Sequence, residues 1–427
     1  MSRSNLRHNF IVLGADFLFF GLALGFLNAN TILPSFARLL DAPAVFVGLI
    51  SALIHLSWNL PQLFAGPLIA RLPRKKPLLM RVAFLGRPVI PLFGLAIFLT
   101  GAQPAWLILA LLMLVVLLLF GSDAFAGVAW LDIVGRAFPA QRRAGYMSIW
   151  QALTSLGVLG VAALVRAVLS ADGPPFPTNY ALLFGAAGVM LMLSALAITL
   201  IREPDDDGDP DLPALNWGNL VGNLQSVWRG DPRFRLATIS RVVFGLSAMA
   251  FPFYVLYATE ELRLAPAVIG LFISAETVGA LAGSLLLGRI VDRLGAQRGV
   301  QIVLGLLLSI PMFVLALDIL GAGSILSRFY IWIYFCIGVS NNLVLLGYFN
   351  YVLDIAPARQ RTVYIGMSNA LGGLGVLGSV LGGWILSLAG YRVLFIVSLA
   401  LALLGLALAL RLPAPQVLSS EGAAEAD

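Results

Sequence analysis

The chain has 427 residues, of which 60% are apolar and only 11% are charged. A soluble domain is nearer 45–50% apolar and about 25% charged, so the composition excludes an ordinary soluble domain, a disordered chain and a collagen-like fibre. The single cysteine, Cys336, excludes an intrachain disulfide. The net charge of +6 and the pI of about 9.7 fit the basic cytoplasmic loops of a membrane protein, so no nucleic-acid partner is expected.

Twelve apolar stretches follow one another along the chain, and most can cross a hydrocarbon core of about 30 Å as a helix. None shows the strict alternation of a barrel strand. The sequence therefore predicts an all-α integral membrane protein with twelve transmembrane helices and no cleavable signal peptide. The stretches lie at 10–33, 44–70, 78–99, 105–131, 144–169, 179–201, 236–259, 267–288, 299–320, 329–353, 363–388 and 393–411.

The distribution of arginine and lysine predicts which side of the membrane each loop occupies. With the amino terminus in the cytoplasm, 20 of the 27 basic residues fall on that side. The opposite side receives four, namely Arg38, Arg263, Arg328 and Arg392. Because cytoplasmic loops carry an excess of basic residues, both termini are predicted to be cytoplasmic and the protein to lie in the cell membrane.

The longest connection follows the sixth apolar stretch. It begins with the acidic run EPDDDGDPD, which is too polar to fold alone. Apolar residues then recur at helical spacing from Trp217 to Trp228, which predicts an amphipathic helix that either lies in the membrane interface or packs on other loops. The predicted divisions are an amino-terminal bundle at 1–201, a cytoplasmic linker at 202–235, a carboxyl-terminal bundle at 236–411 and a cytoplasmic tail at 412–427.

An internal repeat relates the two halves. The segment PAQRR at 139–143, followed by Tyr146 and QALTSLGVLG, recurs 218 residues later as PARQR, Tyr364 and NALGGLGVLG. A second match pairs APAV at 42–45 with APAV at 265–268. Six helices per half is an even number, so both halves enter the membrane from the same side and enclose a central path. Rocking of one half against the other would expose this path to each side in turn.

A motif after the eighth apolar stretch carries a family resemblance. Residues 288–298 read GRIVDRLGAQR and fit the pattern G-x-x-x-D-R-x-G-x-x-R. The equivalent GPLIARLPRKK at 66–76 has Ala70 and Pro73 where the pattern has Asp and Gly. With the twelve stretches, the repeat and the long central loop, the chain resembles the major facilitator superfamily. The resemblance implies two pseudo-symmetric six-helix bundles around a transport path.

These loops are predicted to act as a conformational latch. Glycine lets two helices approach closely, Asp can meet the amino terminus of a helix, and Arg can meet a carboxylate at a helix end. Asp132 and Asp354, which lie in matching LDI tripeptides, are the predicted partners of Arg71 and Arg293. The missing Asp in the first copy predicts a weaker latch in the amino half. The remaining predicted latch residues are Gly66, Gly288, Asp292, Gly295 and Arg298.

Ionisable residues inside the predicted helices are candidates for energy coupling, because a charge is costly to leave unpaired in lipid. Asp16, Asp123 and Glu276 are predicted to couple transport to protons, with the two aspartates ranked first. Glu276 shares a helix face with two glycines, so close packing is its alternative role. Arg87 is predicted to pair with Asp16 or Asp123, with a role as a substrate ligand as the alternative, since the resemblance places the third helix at the periphery.

Polar and aromatic residues are predicted to line a substrate cavity. The second helix carries a polar stripe at steps of three and four, which faces either a cavity or a neighbouring helix. Amide and aromatic side chains favour an uncharged or amphipathic organic solute over an inorganic anion, which would need a central Arg or Lys. The predicted cavity residues are Asn30, His55, Asn59, Gln62, Tyr254, Tyr257, Asn341 and Asn342.

The sequence thus predicts a secondary transporter that moves a small organic solute by alternating access, coupled to protons. Efflux of hydrophobic compounds is the alternative within transport, and a non-transporting membrane receptor or scaffold is the alternative outside it. No nucleotide-binding loop, metal cluster or nucleophile–base arrangement stands out, so neither a cofactor nor an enzymatic activity is expected. The expected partners are the solute and membrane lipid, and the expected state is a monomer.

Overall fold

The computed structural model describes residues 3–204, 227–321, 325–341, 343–357 and 361–413. Within these ranges every regular element is a helix, which confirms the predicted all-α fold. A helix satisfies its backbone hydrogen bonds internally, so an apolar chain can cross lipid in this form. Large apolar side chains such as Leu99, Ile319 and Leu388 are more than two-thirds exposed on the outside of the bundle, as expected for a surface that meets lipid.

The amino-terminal half is built from the helices α1 to α8. We call the side of the molecule that holds the termini the terminal side and the opposite side the far side, where the short helix α2 lies between the first two crossings. The third crossing divides into α4 and α5 around Arg87 and Pro88. The bounds are α1 (Arg3–Phe26), α2 (Ile32–Leu39), α3 (Ala44–Ala70), α4 (Lys76–Gly86), α5 (Val89–Thr100), α6 (Ala105–Ala137), α7 (Ala140–Val168) and α8 (Thr178–Thr199).

The carboxyl-terminal half is built from α9 to α16. Turns of 3₁₀-helix at Ala248–Phe253 and Gly373–Leu377 join α9 to α10 and α15 to α16, and a π-helix at Leu343–Phe349 leads into α14. The α-helices are α9 (Pro232–Ser247), α10 (Tyr254–Glu260), α11 (Val268–Leu294), α12 (Ala296–Leu320), α13 (Ile331–Ser340), α14 (Asn350–Ile355), α15 (Arg361–Gly372) and α16 (Gly378–Leu410).

Ten helical spans in the described part of the chain are long and apolar enough to cross a membrane. One of them, Met367–Leu410, has 44 residues and bends at Gly390, where φ is 80° and only glycine is unstrained. A shorter apolar helix, Leu326–Ser340, falls at the tenth predicted stretch. If the long span crosses twice and the short helix crosses once, these crossings and the other nine spans give a total of twelve. The number of twelve stays a prediction.

The start of the carboxyl-terminal half differs from the predicted boundary at residue 236. α9 begins at Pro232, because Asp231 caps it: the carboxylate accepts hydrogen bonds from the backbone N–H of Arg233 at 2.9 Å and of Phe234 at 3.3 Å. The predicted amphipathic helix from Trp217 lies almost entirely outside the described residues, as does the tail beyond residue 413.

The two halves pack against each other on the far side, where α3 contacts α16 and α7 contacts α11. Ser379 Oγ donates a hydrogen bond of 3.0 Å to the carbonyl of Gly48. A methyl group added to Gly270 would overlap the carbonyl of Ala162. Small residues here let the backbones of opposite halves approach closely, so the far side is closed.

An ion pair adds to this closure at the surface. Arg38 Nε on α2 donates to Glu260 Oε1 at 2.6 Å, and Tyr391 OH donates to Glu260 Oε2 at 2.9 Å. The hydrogen bond to Glu260 raises the pKa of the Arg38 guanidinium above its ordinary value, so this arginine stays charged at any physiological pH. The pair joins the amino half to the carboxyl half.

Candidate functional site

A cavity of about 590 Å³ lies between the two halves, and we call it the central cavity. Its wall combines α1, α3 and α6 with α9, α11, α13 and the segments that follow α13 and α15. This volume falls in the range of small-molecule sites, roughly 300–1,000 Å³. The polar residues on the wall are Asn28, Asn30, Ser51, His55, Asn59, Arg241, Glu276, Ser340, Asn341, Asn369 and Ser379.

Glu276 on α11 is bonded from both halves of the protein. Asn28 Nδ2 donates to Oε2 at 2.9 Å, and Asn30 Nδ2 donates to Oε1 at 3.0 Å. Asn341 Nδ2, from the carboxyl half, donates to Oε1 at 3.5 Å. Glu276 is 8% exposed, and a buried carboxylate needs such donors because it has lost its water. Separation of the halves at this level would break two of the three bonds.

The two asparagines of the amino half come from a turn that ends α1. The first apolar stretch reaches residue 33, whereas α1 ends at Phe26. Asn28 Oδ1 accepts hydrogen bonds from Asn30 N at 2.9 Å and from Thr31 Oγ1 at 3.0 Å. Local side-chain bonds of this kind compete with the helical pattern, so they close a turn that directs the Asn28 amide to Glu276. Asn28 was not among the predicted residues; the available signal was a second asparagine two residues before Asn30.

Three distorted segments of the carboxyl half border the central cavity. The 3₁₀ turn after α9 contributes Ala248 and Phe251, the π-helix after α13 contributes Val344, and the 3₁₀ turn after α15 contributes Gly373 and Val376. Such departures from α-helix often mark functional segments and hinges. α1, α3 and α6 contribute wall residues from segments of regular helix or from the turn after α1.

Arg241 on α9 is a cavity residue that the sequence analysis did not single out. Its Nη1 donates to Ser368 Oγ at 2.9 Å and to Asn369 Oδ1 at 3.1 Å. Gly372 packs closely against the guanidinium: a Cβ atom added to this glycine would lie only 2.5 Å from Arg241 Nε. The wall therefore carries a cation as well as a carboxylate, which removes the sequence-based argument against an anionic solute. Its place inside the seventh apolar stretch was the available signal.

Asp16, Arg87 and Asp123 form a buried cluster within the amino half. Arg87 Nη1 donates to Asp16 Oδ1 at 3.1 Å, and Arg87 Nη2 lies 3.7 Å from Asp123 Oδ1. Ser194 Oγ donates to Asp16 Oδ1 at 2.5 Å and accepts from Arg87 Nη1 at 2.9 Å. The guanidinium also lies 5.3 Å from the centre of the Phe20 ring. None of the three charged residues is among the described residues that line the central cavity.

The predicted cavity residues divide into two groups. Asn30, His55, Asn59 and Asn341 line the central cavity. Gln62 lies on the same helix as His55 but is not among the described wall residues. Asn342 lies outside the described residues.

The prediction that Tyr254 and Tyr257 line the cavity is wrong. They are 1% and 3% exposed, and their ring centres lie 5.4 and 5.2 Å from that of Phe395 on α16. A 3₁₀ turn of three residues per turn precedes α10 and rotates the following side chains relative to a continuous α-helix. Both tyrosines therefore face α16.

The latch residues of the amino half lie in a network of charges on the terminal side. Asp132 contacts Arg136 Nη2 at 2.5 Å and Lys75 Nζ at 4.0 Å. Glu203, just after α8, accepts from the backbone N–H of Lys75 at 2.5 Å and of Lys76 at 3.0 Å. The carboxylate thus meets the amino terminus of α4, where the helix dipole favours a negative charge. Gly66 lies near the carboxyl end of α3, which ends at Ala70, and Arg71 directly follows the helix.

The latch residues of the carboxyl half lie at the end of α11. Asp292 and Arg293 are exposed, as is Asp354 on α14. Gly295 ends the helix with φ of 85°, a conformation that favours glycine. Arg298 Nη1 donates to Gln301 Oε1 at 3.0 Å. A methyl group added to Gly288 would meet no atom within 4 Å. In this state, in which the far side is closed, the glycine therefore makes no close contact with another helix.

Similarity to solved structures extends over the whole chain. A bacterial homologue of the human lysosomal transporter Spinster has a TM-score of 0.67 at 12% identity, covering 96% of this chain and 97% of that one. A mutant of the nucleoside transporter NupG has a TM-score of 0.67 at 12% identity, covering 95% and 98%. A bacterial homologue of the iron transporter ferroportin has a TM-score of 0.68 at 18% identity, covering 96% and 99%. At these identities the likeness shows the fold alone.

Sequence comparison adds the family. No curated protein matches the sequence. Residues 236–426 match the family model described as Major Facilitator Superfamily, and the remaining half contributes to the same fold in the solved structures. The matched half also contains the complete loop motif at 288–298. The carboxyl-terminal half therefore matches the major facilitator superfamily in sequence, and the chain as a whole has the fold of these solved transporters.

Proposed function

We propose that the protein is a proton-coupled secondary transporter, and that Glu276 is its coupling group. The transported molecule is a small organic solute that binds in the central cavity between an amino-terminal and a carboxyl-terminal bundle. The observation that carries this proposal is the bonding of one cavity carboxylate by amides from both halves. The family and its fold support the transporter class.

The orientation predicted from the basic loops gives the state of the transporter. It places the termini in the cytoplasm of the cell and the closed far side outside. The central cavity then faces the cytoplasm, so the structure corresponds to an inward-facing state. Two of the similar structures are themselves described as inward-facing. The outward-facing state requires the contacts of Gly48, Gly270 and Arg38 with the other half to open.

Opening of the far side explains how Glu276 can couple protons to transport. It would withdraw Asn28 and Asn30 from the carboxylate, since both belong to the amino half. A buried carboxylate that loses donors must gain a proton, a cation or water. Whether Glu276 binds the amides or instead a proton, a cation or water is therefore linked to the conformational state of the transporter. This linkage favours Glu276 over Asp16 and Asp123, whose described bonds lie within one half.

The first prediction concerns Glu276→Gln in proteoliposomes. Glutamine keeps the size of the side chain and one acceptor oxygen but cannot carry a charge. The variant should lose accumulation driven by a pH gradient and solute-induced proton movement, while exchange of solute across the membrane continues. A substrate-panel flux assay supplies the solute, and a pH-sensitive dye inside the vesicles reports proton movement.

Asp123→Asn is the matched control, because it removes another buried carboxyl, whose described ion pair lies within one half. It should keep gradient-driven accumulation. If Glu276→Gln accumulates solute as the parent does and Asp123→Asn does not, the coupling group lies in the amino half and the proposal is wrong. Binding without flux across a broad panel would instead support a receptor.

A further inference from the structure

A second cavity, of about 410 Å³, lies beside the central cavity and is partly open to its surroundings. We call it the side cavity. It is bounded by α1 and α7 of the amino half and by α11 of the carboxyl half. Its wall is mostly apolar and includes Phe17, Phe20, Leu24, Val158, Ile273 and Ala280.

The side cavity meets the central cavity at Glu276. Leu24, Asn28, Glu276 and Asn341 belong to the walls of both. Towards the far side, the contact between Gly270 and α7 closes the gap between the halves. One molecule could therefore place a polar group at Glu276 and extend an apolar part between α7 and α11.

Thr154 provides a second observation that points to a ligand in the side cavity. It lies on the wall, is 5% exposed, and its Oγ1 has no hydrogen-bond partner among the described residues. A buried hydroxyl without a partner is unfavourable, because it has lost its bonds to water without replacement. Its neighbour Ser155 accepts a hydrogen bond from Gln151 Nε2 at 3.3 Å. A polar group on a bound molecule, or a water beside it, would supply this partner, whereas the apolar part of the molecule would contact the rest of the wall.

We propose that the side cavity is the tail subsite for an amphipathic organic cation. The ammonium head binds Glu276, and the apolar tail lies between α7 and α11. The three amides that donate to Glu276 are neutral, so they leave the charge of an ionised carboxylate uncompensated and a cationic head is attracted to it electrostatically. A proton and the ammonium head then compete for the same carboxylate, as a proton–cation exchanger requires. The transport step rests on the function proposed above, whereas binding in the side cavity does not.

Photolabelling tests the tail subsite. The probe is a dodecyltrimethylammonium salt with a diazirine at the end of the tail, added to the full chain in lipid nanodiscs. We expect labelling of α7 and α11 that excess unlabelled dodecyltrimethylammonium prevents. Val158→Trp fills the side cavity and should reduce this labelling at least fivefold. The matched control, Leu156→Trp, lies on the same helix at a residue that is 64% exposed and should leave it unchanged.

A second variant guards against misfolding of Val158→Trp. Thr277→Met narrows the side cavity from α11, the opposite wall, and should also reduce the labelling. Each variant is compared with the parent for monodispersity and thermal unfolding. Labelling that is spread over exposed positions, is not prevented by the unlabelled cation, or survives both filled-cavity variants would overturn the tail subsite.

The head group is tested separately. Unlabelled dodecyltrimethylammonium and dodecanol are each used to compete with the photoprobe for labelling of the side cavity. Glu276→Gln should weaken the competition by dodecyltrimethylammonium about tenfold and leave the competition by dodecanol unchanged, because only the cation needs the carboxylate. Equal weakening for both, or for neither, would overturn the assignment of Glu276 to the head group. Specific labelling without flux would contradict the transport proposal alone. Flux of small solutes without specific labelling would contradict the tail subsite alone.

Discussion

At the residue scale, the cluster of Asp16, Arg87 and Asp123 has one positive charge for two carboxyl groups. Arg87 makes a hydrogen bond of 3.1 Å to Asp16, whereas its contact with Asp123 is 3.7 Å. Ser194 adds a second bond to Asp16 alone. Asp16 is therefore the main partner of the arginine, and Asp123 adds a surplus negative charge unless it holds a proton.

This asymmetry gives a graded prediction for stability. Arg87→Ala leaves buried carboxyl groups without their cation and should cost about 3–5 kcal/mol, as for other broken buried pairs. Asp16→Asn should destabilise the protein clearly, because it removes the better partner. Asp123→Asn should destabilise the protein less than Asp16→Asn does, because its contact with the guanidinium is longer and Ser194 bonds to Asp16. Thermal unfolding of the purified variants measures the order of the three losses in stability. Equal losses for the two aspartate variants would contradict the prediction.

At the scale of elements, close packing of α7 against α11 controls the far side. Gly270 on α11 lies against the Ala162 carbonyl and the backbone of Arg166 on α7. These atoms cannot move aside as the end of a flexible side chain could. Larger side chains at residue 270 must therefore separate the two halves.

The next prediction is that Gly270→Ala shifts the protein from the far-side-closed state towards the far-side-open state. Spin labels at Leu39 and Ala265, in a background where Cys336 is replaced by serine, report the distance across the far side. Electron–electron resonance should show a larger population of long distances in the variant. Gly305→Ala is the control, since an added methyl there meets no atom within 4 Å. An unchanged distance distribution would show that the contact does not limit opening.

At the scale of the whole molecule, the ion pair of Arg38 with Glu260 bridges the halves at the far surface. Its side chains are 44% and 31% exposed, so the pair contributes only about 0.2–1 kcal/mol. This amount is small for folding. For an equilibrium between two states of the transporter, about 1 kcal/mol changes the ratio of populations roughly fivefold.

Charge reversal tests this contribution. Glu260→Arg should favour the far-side-open state up to about fivefold at low salt, and the effect should fall at 1 M salt because the charges are screened. The exchanged pair, Arg38→Glu with Glu260→Arg, should restore part of the closed population. The same spin-label distance measures all three proteins. An effect that does not depend on salt, or is not reversed in the double variant, would assign the change to lost packing.

The sequence by itself determined the membrane fold, because an apolar content of 60% in stretches of transmembrane length leaves few other structures. It also indicated the family resemblance, through the motif at 288–298 and the repeat, and a family model matches the carboxyl-terminal half. Candidate polar and charged residues could be found, since each stands out in an apolar background. On this ground Asn30, His55, Asn59 and Asn341 were predicted to line the cavity and Glu276 to couple protons, and all five lie on the cavity wall.

Only the tertiary structure decided which of these residues meet. Glu276 was ranked behind Asp16 and Asp123, because depth in the membrane is readable from the sequence but partners on other helices are not. Asn28 and Arg241 were missed, and Tyr254 and Tyr257 were misplaced by a 3₁₀ turn that changes the rotation of α10. Helical periodicity fixes the face of a residue only while the helix continues. The carboxyl half departs from α-helix in the segments beside its cavity, so the site there required the packed structure.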